Sequence, residues 1–116
     1  MKITSLDKVE KTEIIMEGAK GVWKQIPISK ADGTPAFSFR VFTITPGGHT
    51  PYHSHPFEHL NYIIEGEGAV VMENGDEVPV KKGDFALVLP GEKHRYKNNS
   101  PANPMIVICA VPKEYE

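Results

Sequence analysis

Glycine and proline interrupt this chain too often for long helices to form. Ten of each are spread over 116 residues, and no long window repeats apolar residues at the spacing of an amphipathic helix. Short runs rich in β-branched and aromatic residues recur instead at intervals of roughly 8–12 residues, which is typical of sandwiches and barrels. The runs are VWKQIPI, AFSFRVFTI, LNYIIEG, AVVMENGDEVPV, DFALVLPG and MIVICAV. The sequence therefore predicts one all-β domain over residues 1–116, with one short helix near SLDKVEK.

Two sequence features predict where strands turn. The Pro-Gly-Gly segment at residues 46–48 is expected to end the run AFSFRVFTI. Asn74 and Gly75 are expected to form a two-residue hairpin turn, because both residue types tolerate the positive φ that such a turn requires.

Charge and composition exclude several classes of function. The net charge is −2 and the 13 basic residues form no cluster, so a nucleic-acid partner is not expected. The longest apolar runs are too short to span a bilayer, and the N-terminus lacks the apolar core of a secretory signal. The lone Cys109 suits a reducing compartment. We therefore expect a cytoplasmic protein without a membrane partner.

The histidines are concentrated in one place. Three of the five lie in the stretch HSHPFEH at residues 53–59. His53 and His55 are two residues apart, so on an extended strand they share a face, and His94 follows the distal turn LPG. A single histidine on a strand is usually a surface or core residue, but three together with a distal fourth indicate a metal site, since imidazole is the commonest side-chain ligand. His49 is expected to lie in a loop.

The spacing of these histidines resembles the two sequence motifs of the cupin family. The first motif is matched by Gly47, His53, His55, His59 and Gly66, and the second by Gly83, Pro90, Gly91, His94 and Asn98. The resemblance implies a double-stranded β-helix, or jelly-roll barrel, with a metal inside and often a dimeric assembly. It also implies His53, His55, His59 and His94 as the metal ligands. Asn98 is expected to serve the turn and backbone hydrogen bonds.

The chain departs from the cupin motifs at two positions. Leu89 replaces a proline, and His59 stands where the family has a glutamate, with Glu58 beside it. Glu58 could ligate only through a one-residue slip, which would turn the side chains of the strand to the opposite face, and the spacing to Gly66 fits residue 59. We therefore favour His59 as the ligand. The wider pattern resembles a subgroup of bacterial and archaeal cupins with four histidines, which implies manganese or another divalent ion and oxidative activity.

We expect one divalent metal ion per chain. The resemblance favours manganese or iron, whereas the affinity order of nitrogen sites favours zinc, nickel or copper. An octahedral ion with four histidine ligands keeps two positions open for a substrate or dioxygen. A tetrahedral zinc would have none, and chemistry would not be expected.

Further pocket candidates follow from strand alternation and from nearness to the histidines. Asn61 and Ile63 share the parity of His59, and Cys109 lies either near the metal or in the core as an inert thiol. Arg40 is a pocket cation or a surface arginine. Tyr52, together with Phe42 and Phe57, is expected to pack the barrel more than to touch substrate. The pocket candidates are thus Glu58, Asn61, Cys109, Arg40 and Tyr52.

These features predict a metal-dependent oxidoreductase of the dioxygenase type that acts on a small organic substrate inside the barrel. A non-catalytic metal-binding, small-molecule-binding or sensor protein is one alternative. A sugar-phosphate isomerase is another, and would need inward basic residues, for which only Arg40 and Lys24 are available. We expect a homodimer, with N-terminal strands in residues 1–35 at its interface and a barrel core over residues 36–112.

Overall fold

The computed structural model describes all 116 residues, and its regular elements are nine β-strands and three short 3₁₀ segments, with no α-helix. The 3₁₀ segments are Leu6–Lys8, Lys30–Asp32 and Lys113–Tyr115. The strands are β1 (Thr12–Glu13), β2 (Lys20–Ile28), β3 (Phe37–His49), β4 (His59–Glu65), β5 (Glu67–Val71), β6 (Glu77–Lys81), β7 (Phe85–Val88), β8 (Arg95–Lys97) and β9 (Met105–Pro112). The all-β class predicted from the sequence is confirmed, and the expected short helix is a single 3₁₀ turn. No helix has the length and apolar character that a membrane crossing would need.

The nine strands form one curled sheet whose order differs from the order along the chain. The path is β6-β5-β8-β3-β9-β4-β7, with β2 paired to β3 and β1 paired to β2. The last strand, β9, lies between β3 and β4 and is antiparallel to both. Segments distant in sequence are therefore neighbours in the barrel wall.

The Pro-Gly-Gly segment does not end a strand, and that prediction was wrong. β3 continues through it to His49, and the pairing partners Lys20–His49 and Val22–Ile44 show that β3 carries extra residues there. The backbone hydrogen bonds explain why the strand continues: the N–H of Gly47 donates to the carbonyl of Asn98 at 3.0 Å. The segment is thus a bulge that bends β3.

The hairpin between β5 and β6 also differs from the prediction. Gly75 has a φ of 89°, whereas no residue other than glycine has a positive φ. The N–H of Gly75 donates to the carbonyl of Met72, and the N–H of Met72 donates to that of Asp76. This pattern is a three-residue loop with glycine at the left-handed position, because only one residue, and not two, needs a positive φ.

The core lies between the inward faces of the strands. Its buried cluster comprises Val22, Ile44, Ile63, Val70, Tyr96, Met105 and Val107. The predicted alternation on β9 is confirmed, since every second residue from Met105 to Val111 is buried. Asn98 has the predicted role: its Nδ2 donates to the carbonyls of Ile44 and Asn103 at 2.9 and 2.8 Å, and its Oδ1 accepts from the N–H of Ser100 at 2.9 Å.

The N-terminal segment packs on the barrel of its own chain. β2 pairs with β3 along its length, and Val22 is fully buried in the core. Gln25 fixes the chain that precedes β2, because its Nε2 donates to the carbonyls of Leu6 and Val9 at 2.7 and 3.0 Å. β2 therefore forms part of the wall around the interior. The place of residues 1–35 at a dimer interface stays a prediction.

Candidate metal centre and cavity

Three histidines come together inside the barrel. One ring nitrogen from each of His55, His59 and His94 lies within 4.8 Å of the others. The ring of His53 borders this group, with its centre 5.3 Å from that of His55 and 5.5 Å from that of His94. The structure thus brings three of the four predicted ligands into one cluster and places His53 at its border, whereas His49 ends β3 and Glu58 is not in the cluster.

Two segments of backbone hold the histidines in place. His59 is the first residue of β4 and shares its buried face with Asn61 and Ile63, as the strand parity predicts. His53 and His94 form an antiparallel bridge, in which the N–H of His94 donates to the carbonyl of His53 at 3.0 Å. The segment that leads into β4 and the segment that leads into β8 therefore direct their histidine rings toward the same part of the interior.

The backbone also sets the tautomer of three rings. Nδ1–H donates to the carbonyl of Pro51 at 2.9 Å in His53, of Phe57 at 3.0 Å in His55 and of Glu92 at 2.8 Å in His94. A proton held on Nδ1 leaves Nε2 with a free lone pair, which is the form that binds a metal. The rings are therefore oriented as ligands before any ion binds.

The unpartnered buried polar atoms of the protein lie in a single cavity. Four buried side-chain atoms have no hydrogen-bond partner, and all four belong to residues that line this cavity: Nε of Arg40, Nε2 of His55, Nε2 of His59 and Oδ1 of Asn61. Buried polar atoms are normally paired, and each unpaired one destabilises the fold. A divalent ion would satisfy the two imidazole nitrogens, so the donor set fits such an ion.

The cavity has a volume of about 400 Å³ and an apolar wall. The apolar residues that line it include Ile14, Met16, Val22, Phe42, Ile44, Phe57 and Val107. Lys24 and Arg40 also line it, and no carboxylate does. A pocket of this size holds a small organic molecule, and its electrostatic potential favours an anion.

The lowered pKa values of His55, His59 and His94 keep these three rings neutral. Burial lowers the pKa of His59 to about 2, and the neighbouring His55 and Arg40 add to the effect. Burial is also the main reason why the pKa of His55 and that of His94 are lowered. Neutral imidazole is the ligating form, so the environment that disfavours protonation favours metal binding.

The pocket candidates from the sequence separate into two groups. Asn61, Cys109 and Arg40 line the cavity. Tyr52 and Glu58 do not line the cavity, so their prediction as pocket residues was wrong. Tyr52 points away because its hydroxyl donates to the carbonyl of Met72 at 2.6 Å, outside the cavity.

Cys109 is almost fully buried beside Arg40. Its thiol accepts a hydrogen bond from Nη2 of Arg40 at 3.3 Å, and burial raises its pKa. Phe42 and Phe57, expected to pack the barrel, also line the cavity. The alternation along β9 predicted the inward direction of Cys109, and the structure adds its contact with Arg40.

Two sets of residues in or beside the cavity could not be predicted from the sequence. Ile14 and Met16 reach the cavity from outside any predicted strand. Tyr115 stacks on Phe57 with the ring centres 4.1 Å apart, and Phe57 stacks on His55 at the same separation. These contacts join residues far apart along the chain, so local patterns do not reveal them.

Comparison with known proteins identifies relatives with this architecture. An oxalate-binding protein of Thermotoga maritima is 34% identical over 86 residues, which are 72% of this chain and 70% of that protein. A gentisate 1,2-dioxygenase of a Ralstonia species is 24% identical over 102 residues, and this chain covers only 27% of its length. The structure of the polyketide cyclase RemF from Streptomyces resistomycificus superposes with a TM-score of 0.91 at 27% identity, over 97% of this chain and 80% of that one.

The family model that matches this chain is that of the cupin domain, and the match extends over residues 40–111. It covers more than half of the chain and contains all four clustered histidines. The curled sheet is accordingly the double-stranded β-helix that the sequence motifs predict. With these matches and the histidine cluster inside the barrel, the chain belongs to the cupin domain family.

Proposed function

We propose that this protein is a metal-dependent oxidoreductase of the dioxygenase type that acts on a small organic substrate in the cavity. The observation that carries the proposal is the pair of buried, unpartnered Nε2 atoms of His55 and His59 at the wall of a cavity about 400 Å³ in volume. In such a reaction both atoms of dioxygen enter the product, so the electrons come from the substrate and no further reductant is needed. The similarity to gentisate 1,2-dioxygenase supports this class.

We propose that His53, His55, His59 and His94 hold one divalent ion, with manganese or iron preferred. A bound ion supplies Lewis acidity and, when it is manganese or iron, redox chemistry. The residues of the chain orient the ligands and shield the substrate. The backbone carbonyls hold the rings in the ligating tautomer, and the apolar wall around Phe42 and Phe57 excludes water from the substrate.

No carboxylate lines the cavity, and this restricts the chemistry of the protein itself. A decarboxylase that needs a carboxylic acid beside the ion has no such group here. Tyr96 is the one phenol in the wall, and burial raises its pKa to about 12. Its hydroxyl accepts from Nδ2 of Asn61 at 2.7 Å. The phenol therefore stays protonated at neutral pH and positions Asn61.

A second candidate function uses the same ion without an oxidant. The superposition on the polyketide cyclase RemF is close over nearly the whole chain. This observation favours a Lewis-acid-assisted rearrangement or condensation. A third possibility, binding of a small molecule without turnover, is supported by the similarity to an oxalate-binding protein.

We expect the Fe(II)-loaded protein to bind nitric oxide, a dioxygen analogue, and to give the paramagnetic resonance signal of a high-spin ferrous nitrosyl. This test needs no knowledge of the substrate, because it asks only whether a diatomic gas reaches the ion. Oxygen uptake would then be measured with gentisate and with oxalate as probes. The Zn(II)-loaded protein is the matched control, since zinc has no redox chemistry.

The outcomes separate the candidates. A nitrosyl signal with oxygen uptake in the iron form alone supports the dioxygenase. Turnover that is equal in the zinc form contradicts it and favours the cyclase class. Absence of the nitrosyl signal in a protein that carries one iron per chain contradicts dioxygen chemistry and leaves a binding role.

We also propose that the protein is a homodimer. Besides the N-terminal strands of residues 1–35, which the sequence predicts at the interface, the structure offers a second candidate surface. An apolar row crosses the outer face of the sheet, where Phe39, Ala110, Leu60 and Leu87 lie side by side on β3, β9, β4 and β7. Phe39, Leu60 and Leu87 are 44%, 50% and 58% exposed. Contiguous exposed apolar surface of this kind marks interaction sites. We expect a dimer in sedimentation equilibrium and a monomer for Leu60→Asp; a monomeric wild type at micromolar concentration contradicts the proposal.

A further inference from the structure

We propose that Arg40 and Lys24 form an anion subsite in the cavity that receives the carboxylate of a small organic acid. The inference rests on the proposed function, whose substrate class it names. It has its own structural basis, however, because the two cations lie on β3 and β2 and do not belong to the histidine cluster.

Strand pairing places the two cations on the same face of the sheet. Lys24 lies opposite Phe42 in the β2–β3 ladder, and Arg40 lies two residues before Phe42 on β3. Residues two apart on a strand share a face, and diagonal neighbours across a ladder are within reach of long side chains. Both side chains consequently line the cavity together with Phe42.

Arg40 has a charge without a counter-ion. Nη2 donates to the thiol of Cys109 at 3.3 Å and Nη1 to the carbonyl of Tyr115 at 3.4 Å, while the buried Nε has no partner. The only salt bridges in the protein are Lys2–Asp32 and Lys97–Glu77. Neither involves Arg40 or Lys24. A half-buried guanidinium that contacts only neutral groups retains the ability to bind an anion.

Lys24 adds a second positive charge that takes part in no salt bridge. Burial, followed by the positive charge of Arg40, lowers its pKa, while Glu116 acts in the opposite direction. Glu116 forms no salt bridge with Lys24, and its Oε2 atom accepts from the hydroxyl of Ser38 and from the N–H of Lys30. Two neighbouring cations beside a low-dielectric cavity are stabilised when an anion binds between them.

The apolar wall favours a carboxylate over a phosphate. Nη1 and Nη2 of Arg40 each donate one hydrogen bond within the protein and keep a second N–H, so these groups, Nε–H and the ammonium of Lys24 are free to bind an anion. A carboxylate can turn both of its oxygens toward these donors, whereas a tetrahedral phosphate monoester would turn at least one of its three oxygens toward apolar side chains, where a charged oxygen is poorly solvated. The rest of the wall is largely apolar, so the body of the ligand is expected to be apolar and its charge confined to one end.

Binding of benzoate and of the isosteric neutral benzamide to metal-free protein tests the subsite. We expect calorimetry to detect benzoate and not benzamide. Arg40→Gln and Lys24→Gln should each weaken benzoate binding about tenfold to a hundredfold, the range for a hydrogen bond to a charged group. Lys20→Gln is the matched control, since it removes the same charge from an exposed position on the same strand. Circular dichroism verifies that each variant is folded.

Three outcomes would overturn the inference. Equal binding of benzoate and benzamide would mean that apolar contact alone fills the cavity. Tighter binding of inorganic phosphate than of benzoate would assign the cations to a phosphoryl group, as the isomerase alternative requires. Benzoate binding that appears only after zinc is added would assign the carboxylate to the ion.

The proposed function can fail independently of the subsite. Selective benzoate binding by metal-free protein, together with no nitrosyl signal from the iron form, would retain the subsite and refute the dioxygenase. The reverse pair of results would retain the dioxygenase and refute the subsite.

Discussion

Replacement of His59 by alanine is expected to abolish stoichiometric metal binding. The ring is buried at the start of β4, its Nε2 has no partner in the protein, and its pKa of about 2 keeps it neutral. Loss of a hydrogen-bond partner behind a ligand already costs about 10–100-fold in metal affinity, so loss of the ligand itself should cost more than ~100-fold. Metal content by mass spectrometry of untagged protein and competition with a chelator measure the change.

Two variants serve as controls for His59→Ala. Glu58→Ala removes the neighbouring carboxylate, which lies outside the histidine cluster, and His49→Ala removes a histidine that does not line the cavity. Both should retain one ion per chain. If Glu58→Ala loses the ion while His59→Ala keeps it, the site has three histidines and a glutamate, and the assignment made here is wrong.

Gly66→Ala is expected to destabilise the fold by about 2–5 kcal/mol, the sum of a left-handed backbone and an overlap in a packed interior. Gly66 has a φ of 78°, and a Cβ at this position would lie 2.1 Å from the carbonyl oxygen of Pro104 and 3.0 Å from Cα of Met105. These are backbone atoms at the start of β9, so they can move only if the strand moves. Urea unfolding followed by circular dichroism gives the free energy of unfolding.

Gly47→Ala separates the cost of the left-handed backbone from the cost of steric overlap in the destabilisation expected for Gly66→Ala. Gly47 has nearly the same φ, 77°, but a Cβ there would meet no atom within 4 Å. The substitution should therefore cost only about 1–2 kcal/mol, the penalty of the left-handed conformation. Equal losses in the two variants would show that steric overlap at Gly66 is unimportant.

The strands were predictable because they depend on local periodicity, and the histidine cluster was predictable because its spacing matches the cupin motifs. Alternation of residue type fixes which side chains share a face, and this placed His59 with Asn61 and Cys109 with Met105 on inward faces. The two histidine segments could be related to each other through the spacing of the cupin motifs. Periodicity and motif spacing were together sufficient to locate the candidate metal centre.

The errors occur where pairing between distant segments decides the conformation. Pro-Gly-Gly is typical of a turn when it is considered alone. In the structure, Asn98 hydrogen-bonds with Gly47 and Gly48, and β2 pairs with β3 on both sides of the segment, so β3 continues through it. The segment between β3 and β4 is irregular, so its side chains do not alternate between two faces. For this reason the sequence could not predict whether the side chain of Tyr52 faces the cavity. The contribution of Lys24 to the cavity depends on how β2 aligns with β3, and neither strand specifies that register alone.

The position of β9 in the sheet has a consequence for how the protein folds. β3 and β4 precede β9 by many residues, but each pairs with it and they do not pair with each other. During synthesis, the backbone N–H and C=O groups at one edge of each of these two strands therefore have no strand partner until residues 105–112 have left the ribosome. Topologies with such non-local pairing fold slowly and expose aggregation-prone edges. Yield in the cell is accordingly expected to depend on chaperone supply and growth temperature more than on the final stability of the barrel.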